Sequence, residues 1–279
     1  MENFRNKKDR NERPTQKDNQ RDSASGASDS SSYVVGRRAA LELLRSDEAR
    51  KKIEKVYVAH GTGGPQIGEI LSLVRTNRIA TTELDRHKFQ ELERRVSDGT
   101  DTQGVIVLRT QRAYQTIEEV LHVLPQGVKP LFIALDGVED PHNVGAIIRS
   151  AEAAGAHAVL LHQRKAALTP AVYKTSAGAA EHLPIIKYGN LDQTLRELRD
   201  EFGFKIYGLA GEGKRSIYEA DLKEPLLLIT GSEEKGLHHL IRERCDELLR
   251  IPLTGITASL NASVATAVAL FEAVRQRSA

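Results

Sequence analysis

Three features of the sequence predict an α/β protein built on a parallel sheet. From residue 131 onward, short apolar runs of strand length recur, separated by amphipathic stretches of helix length. The runs are apolar throughout rather than alternating, which is the pattern of strands covered on both faces, as parallel strands are. A shorter mixed segment upstream predicts a smaller α/β unit ahead of the main one.

Taken in chain order, residues 1–32 are rich in Lys, Arg, Asp, Asn and Ser and end in a run from Ser23 to Ser32 with almost no apolar side chain. So few apolar groups cannot offset the entropy of ordering, which predicts an unfolded, solubilising tail. Residues 33–110 form the smaller unit. Its helices are expected at Arg37–Leu44, Ile67–Val74 and Arg86–Arg94, and its strands at Lys55–Ala59 and Gly104–Leu108. Residues 111–129 connect the two units through a helix and the turn signal Pro125-Gln126-Gly127.

In residues 130–279, strands are expected at Leu131–Leu135, Ala158–His162, Lys205–Leu209, Leu226–Thr230 and Glu247–Ile251. Helices begin near Asn143, Leu191, Gly236 and Asn261. Ligands of open parallel sheets bind beyond the carboxyl ends of the strands. The loops after Leu135, Thr230 and Ile251 are therefore where chemistry is expected.

Composition removes several function classes. The 279 residues are enough for one large domain or two modest ones, with 40% hydrophobic and 28% charged residues, as in ordinary soluble domains. Aromatics are 5% with no Trp, a poor supply for a binding platform that stacks bases on rings. The formal charge of +2 marks no partner by itself. One cysteine, Cys245, excludes an internal disulfide and a multi-cysteine zinc site. The start of the chain is polar and no apolar run has membrane-spanning length, so a cytoplasmic protein is expected.

Some motifs tempt and fail. Gly208 to Lys214 fits G-x-x-x-x-G-K, but Arg215 stands where a phosphate-binding loop needs Ser or Thr, and Gly208 falls inside a strand. A glycine-rich turn is the better reading. His238 and His239 are adjacent rather than four apart, so they cannot share a metal from one helix face, and they read as solvated helix residues.

Three loops carry polar residues in combination. Asp136 to Ser150 ends a strand, turns at Pro141, and offers Asn143 as a helix cap with Arg149 six residues on. Gly231-Ser232-Glu233-Glu234-Lys235-Gly236-Leu237 follows an apolar strand, where glycine permits close backbone approach to a ligand. Ile251 to Ala265 turns at Pro252 and Gly255 before a helix crowded with small residues. Each loop alone is compatible with a plain turn between strand and helix.

Together, D-P-x-N-x-G-x-I-x-R, G-S-E-x-x-G-L and I-P-L-x-G-x-x-x-S-L-N-x-S-V-A resemble, in order and spacing, the three motifs of the SpoU/TrmH family within the SPOUT superfamily. The resemblance covers Leu131 to Arg277, with a fainter extension over Tyr33 to Leu108 through Val35-Gly36-Arg37-Arg38-Ala39 and Gln103-Gly104. It implies an enzyme that moves a methyl group from S-adenosylmethionine to a ribose 2′-hydroxyl in RNA. It further implies a sheet whose C-terminal segment threads a deep trefoil knot, an N-terminal domain that binds the RNA substrate, and a homodimer paired through the C-terminal domain. Neither a metal nor a membrane is implied.

Residue by residue, the resemblance implies that Gly231, Ile251 and Leu260 hold S-adenosylmethionine. Asn143, Arg149, Glu233, Ser259 and Asn261 would form the catalytic neighbourhood. Arg149 stands where the family places its proposed base. A guanidinium with a pKa above about 12 gives up its proton reluctantly, so clamping a phosphate is an equally good role. Arg164, Lys165, Tyr173 and Lys174 read as phosphate contacts beside that site. The segment through Gly178-Ala179-Ala180-Glu181 is most similar to the branch that methylates a guanosine in 23S rRNA, although tRNA-directed relatives share the core motifs. A non-catalytic RNA-binding protein of the same fold is the rival reading.

Overall fold

The structure is a computed structural model that describes residues 31–97, 99–110 and 114–278. The first 30 residues of the expected tail lie outside the described residues, as do Gln111–Ala113 of the connecting segment.

The smaller sheet contains β1 (Ser31–Val35), β2 (Ile53–Ala59), β3 (Thr81–Leu84) and β4 (Val105–Thr110), in the order β1-β4-β2-β3. The helices α1 (Arg37–Arg45), α2 (Asp47–Arg50), α3 (Pro65–Thr76) and α4 (Arg86–Val96) join these strands. One correction falls at the N-terminus: Ser31 and Ser32, assigned to the tail, pair with Thr110 and Arg109. Serine carries no strand signal, but the edge of β4 supplies backbone partners to any residue laid beside it. β3 was also illegible, because a short polar edge strand leaves almost no periodicity.

In the connecting segment, α5 (Ile117–His122) starts with a capping box in which Thr116 and Glu119 satisfy each other's backbone N–H groups. The larger sheet follows: β5 (Leu131–Asp136), β6 (Ala158–His162), β7 (Ile185–Tyr188), β8 (Lys205–Leu209), β9 (Arg215–Ser216), β10 (Leu226–Gly231) and β11 (Glu247–Arg250). All its pairings are parallel, in the order β7-β6-β5-β10-β8-β11-β9. Its helices are α6 (Pro141–Ala153), α7 (Pro170–Thr175), α8 (Leu191–Asp200), α9 (His239–Arg244) and α10 (Ala262–Arg277), with a single 3-10 turn at Ala179–Glu181. β5 and β10 are buried at every residue, as the unbroken apolar runs require.

The described residues from Ser31 onward form one compact unit. A continuous apolar core runs from Val34, Leu43 and Val107 of the smaller sheet's layers to Leu131, Ile147 and Tyr173 of the larger part. Across the junction, Arg109 of β4 meets Glu181 of the 3-10 turn, both essentially buried. This pair overturns part of the surface reading of the 164–181 segment. Tyr173 is only 2% exposed, lying below the Arg109 guanidinium, and Lys174 Nζ donates to the Asp101 carbonyl at 2.7 Å. Among the described residues, no helix is long and apolar enough to cross a membrane.

Candidate active site

Three loops converge at the carboxyl ends of β5, β10 and β11. At the first, Asp140 caps α6 by accepting the N–H groups of His142 and Asn143, at 3.2 and 3.3 Å. Asn143 was expected to be that cap and is not. Pro141 takes the first helical position, which moves the cap one residue upstream of the proline. The Asn143 side chain is thereby released to point across the sheet.

The second loop is a tight turn closed by reciprocal backbone bonds between Ser232 and Gly236, at 3.1 and 2.9 Å. A side chain at Gly231 would meet the backbone of Gly236 at 2.2 Å, so only glycine allows the turn to fold back on its own strand. The turn presents Glu233. In the third loop, Asn261 caps α10 through Oδ1, which accepts the N–H groups of Ser263 and Val264 at 2.9 and 3.3 Å. That cap orients its amide nitrogen outward.

Asn143, Glu233 and Asn261 meet as one hydrogen-bonded set. Asn143 Nδ2 donates to Glu233 Oε1 at 3.0 Å, and Asn261 Nδ2 donates to Asn143 Oδ1 at 2.9 Å and also to Glu233 Oε1. Each amide is thus locked in one orientation by its partners. These residues are 90 and 118 positions from Asn143 in the chain, and only folding brings them together.

Two cavities flank this set. The first, of about 280 Å³, is lined by Gly231, Glu233, Ile251, Ser259 and Leu260 among others. Its walls are mainly apolar, from Leu209, Leu237, Leu249 and Leu253, with the Arg242–Glu212 ion pair among the lining residues. Sequence reasoning missed one wall: the segment after β8, read only as a glycine-rich turn, contributes Ala210, Gly211 and Glu212. Only the strand order, with β8 between β10 and β11, puts that turn beside the other loops.

The second cavity, of about 400 Å³, is lined by the 137–140 loop, Asn143, Lys165, the 232–235 turn and His238. Glu233 and Ala262 line both cavities. Lys165 lies here, 3.4 Å from Glu139. Arg149 is not brought to either cavity. It is exposed on α6 and makes no hydrogen bond or ion pair among the described residues.

His238 is another correction. It precedes α9 as its N-cap rather than standing within the helix, and its ring, still 56% exposed, pairs with Asp136 at 2.7 Å. Nearby, burial drives the Tyr188 hydroxyl far above its ordinary pKa, with the Asp136 charge adding to the effect, so it stays protonated while donating to the Leu135 carbonyl. Burial also pushes the Cys245 thiol up to about 12, which leaves it a packing group rather than a nucleophile. Among the described residues, no group of three or more His, Cys, Asp or Glu is arranged to hold a metal ion.

Comparison with known proteins is consistent with this geometry. The sequence model described as the SpoU rRNA Methylase family matches residues 130–271, and the one described as RNA 2′-O ribose methyltransferase substrate binding matches residues 33–115. The 23S rRNA (guanosine-2′-O-)-methyltransferase RlmB of Pseudomonas putida is 40% identical over 247 residues, covering 88% of this chain and 96% of the relative. Among solved structures, the SpoU methyltransferase AviRb of Streptomyces viridochromogenes, in complex with AdoMet, shares the fold with a TM-score of 0.74 at 24% identity, over 90% of this chain and 91% of its own. An AdoMet-bound rRNA methyltransferase of Sinorhizobium meliloti matches with a TM-score of 0.67 at 25% identity, over 88% and 87% of the two chains.

Proposed function

The chain belongs to the SpoU rRNA methylase family, and from that premise we propose that it transfers a methyl group from S-adenosylmethionine to the 2′-hydroxyl of a guanosine in 23S rRNA. The observation that carries this reading is the hydrogen-bonded set of Asn143, Glu233 and Asn261, whose Glu233 stands on the wall of the cavity lined by Gly231, Ile251 and Leu260. The guanosine and 23S parts rest on relatives about 40% identical over nearly the whole chain.

The first cavity suits the methyl donor. Its leucine and isoleucine walls match an adenine face, and its volume of about 280 Å³ is near the low end of small-molecule pockets, roughly 300–1,000 Å³. The close backbone turn at Gly231 leaves room for a ligand to reach main-chain groups. Glu233 and the Arg242–Glu212 pair supply charges for an amino acid's ammonium and carboxylate. When bound, S-adenosylmethionine supplies a methyl group on a good leaving sulfur, so the protein need only align, dehydrate and deprotonate.

The second cavity then receives the ribose. The Asn143–Glu233–Asn261 set holds the shared wall rigid, and Ser259 lines the donor side. Arg149, solvent-exposed and without a partner among the described residues, suits a clamp on an RNA phosphate. In this reading residues 33–110 grip the RNA, residues 111–129 connect, and residues 130–279 perform the transfer. The chain leaves β11 for Ile251–Leu260, passes the donor cavity, and returns to pack α10 against α6, a path that supports the threaded knot.

A second copy of the chain is the proposed partner of α10. Val264 and Phe271 lie seven residues apart on this helix and are 48% and 50% exposed, an apolar stripe with no cover in one chain. Sedimentation of the full chain should give a dimer at micromolar concentration.

The test incubates the full chain with S-adenosylmethionine and either unmodified 23S rRNA or tRNA, then maps 2′-O-methyl nucleotides. One methylated guanosine in 23S rRNA supports the reading. Methylation of tRNA alone moves the substrate to the tRNA branch. Binding without transfer to either RNA makes the protein a non-catalytic binder.

A further inference from the structure

Three locally unfavourable choices meet at one corner of the smaller sheet. α1 opens with Arg37 and Arg38 and has no acidic residue in its first turn, so two cations stand at the positive end of the helix dipole. Its N-cap is Gly36, which has no side chain to do the capping. Gln103 holds a φ of 52°, a left-handed backbone that glycine would adopt at lower cost. Departures of this kind gather at functional sites. We propose that this corner docks the RNA: the Arg37 and Arg38 guanidiniums meet backbone phosphates, and the Gln103 amide nitrogen donates to an acceptor atom on a base edge. The inference rests on the RNA part of the methyl-transfer reading and adds which surface of residues 33–110 the strand lies on.

Gln103 is held through its backbone and its side chain. Its N–H donates to Asp101 Oδ1 at 2.9 Å, and its carbonyl accepts from Arg37 Nε at 2.9 Å. Its Oε1 accepts the Arg37 backbone N–H at 3.2 Å, so a side chain 66 residues away caps the helix that Gly36 cannot. With Oε1 turned to the helix, the amide nitrogen carries the free donors, and Gln103 is exposed. An amide fixed in this way can donate outward but cannot accept. It suits a base carbonyl oxygen or ring nitrogen and rejects an exocyclic amine.

The Arg37 guanidinium is placed by the same contacts. Its Nε is tied to the Gln103 carbonyl, and a Cβ added at Gly64 would come 3.6 Å from Nη1. The group therefore bridges the 101–104 and 60–64 loops. Its terminal nitrogens have no acceptor among the described residues, and neither Arg37 nor the exposed Arg38 has an ion pair there. A planar fork with its charge uncompensated suits a phosphate.

The corner is also fixed to the part that carries the cavities. α7 packs on β1 and α1. The Lys174 stem passes 3.9 Å from where a Cβ at Gly36 would stand, and Nζ donates to the Asp101 carbonyl at 2.7 Å. Nζ also lies 3.9 Å from the Asp101 carboxylate, so Lys174 is a strut under the 101–104 loop rather than a phosphate contact. One residue on, Thr175 Oγ1 reaches the Pro141 carbonyl at 3.2 Å, two residues ahead of Asn143. RNA docked at Gln103 is thus held at a fixed offset from the Asn143–Glu233–Asn261 wall.

The test measures filter retention of unmodified 23S rRNA across salt concentrations for the full-length wild type, Q103E, Q103M and R38Q, with melting temperatures alongside. Neither Gln103 nor Arg38 lines the donor cavity, so calorimetric S-adenosylmethionine affinity should hold within about twofold in all four. Q103E keeps an oxygen for the Arg37 N–H and sets an anion at the positive end of α1, so it should melt no lower than the wild type. Its RNA affinity should nevertheless fall by roughly tenfold or more, which a purely structural cap would not produce. Q103M carries no charge to repel phosphate and should lose roughly three- to tenfold, with the salt slope unchanged. R38Q should flatten the slope of log affinity against log salt by about one. Wild-type RNA affinity in Q103E or in Q103M, or an unaltered slope in R38Q, overturns the proposal. Q103E, which keeps the cap, decides if Q103M fails to fold. A wild type that binds RNA with these signatures but transfers no methyl group would sink the methyl-transfer reading and leave the docking site standing.

Discussion

The two cavities share a wall of Ser232, Glu233, Lys235 and Ala262 and differ in what completes them. The first is walled mainly by leucine and isoleucine side chains and by backbone folded back on itself at Gly231, with the Arg242–Glu212 ion pair among its lining residues. The second is lined by Glu139, Asp140, Glu233 and Glu234 with only Lys165 and Lys235 to balance them. An apolar cleft with few polar groups binds a ligand largely by burying it. A carboxylate-rich one offers little burial energy and repels phosphate, so it is suited to orienting an uncharged ribose hydroxyl brought to it from outside. On the proposed function, the difference means that affinity for the methyl donor and affinity for the RNA are built in separate places. In the proposed function, donor affinity belongs to the first cavity, and RNA affinity to residues beyond the second, Arg149 and the smaller sheet's surface among them.

Leu260→Arg should separate the two most sharply. A bulky charged side chain here would fill the space the donor needs beside Gly231 and Ile251, and S-adenosylmethionine affinity should fall by more than about 100-fold. RNA binding, measured by filter retention, should persist. Retained donor affinity would break the assignment of the first cavity.

Arg149→Ala should do the reverse. A charged hydrogen bond to phosphate contributes about 1.5–3 kcal/mol, so kcat/KM for RNA should fall by roughly 10- to 100-fold while calorimetric donor affinity holds. Arg149→Lys should recover little, because the planar fork is lost. Unchanged kcat/KM would remove Arg149 from the site.

Asn143→Ala acts on the shared wall. It removes one donor from Glu233 and one acceptor from Asn261, which should lower kcat by about tenfold and leave the donor dissociation constant within about twofold. An equal effect on donor affinity would mean the wall serves the first cavity more than the second.

Lys165→Met at the rim of the second cavity should do least. Its bond to Glu139 is 3.4 Å long between side chains 51% and 57% exposed. Such pairs contribute about 0–1 kcal/mol, so the melting temperature should move by less than about 3 °C. A larger shift would show that this rim is structural.

Much of this was legible in the primary sequence. Every strand of the larger sheet with a long apolar run was found to within a residue, because burial on both faces writes itself into consecutive residues. β7 and β9, short strands near or at the sheet's two edges, left no comparable signal. The local signals for Asn143 were also real but incomplete. A polar residue beside a proline reads as a cap, and only the coordinates reveal that Asp140 takes that duty and frees Asn143.

By itself, then, the sequence determined the alternation of strands and helices and the order of the three motif-bearing loops, while the eight expected site residues came from the resemblance of those motifs to a known family. Those are properties of neighbours along the chain: apolar periodicity, turn chemistry and motif spacing. The tertiary structure alone decided which residues meet. It gathered Asn143, Glu233 and Asn261 into one set, brought the turn after β8 to the donor cavity, left Arg149 outside, and set His238 on Asp136 across 102 residues of chain. The physical reason is strand order. Hydrogen bonding places β10 between β5 and β8, and β8 between β10 and β11, so the loops at their carboxyl ends become neighbours whatever their distance in sequence.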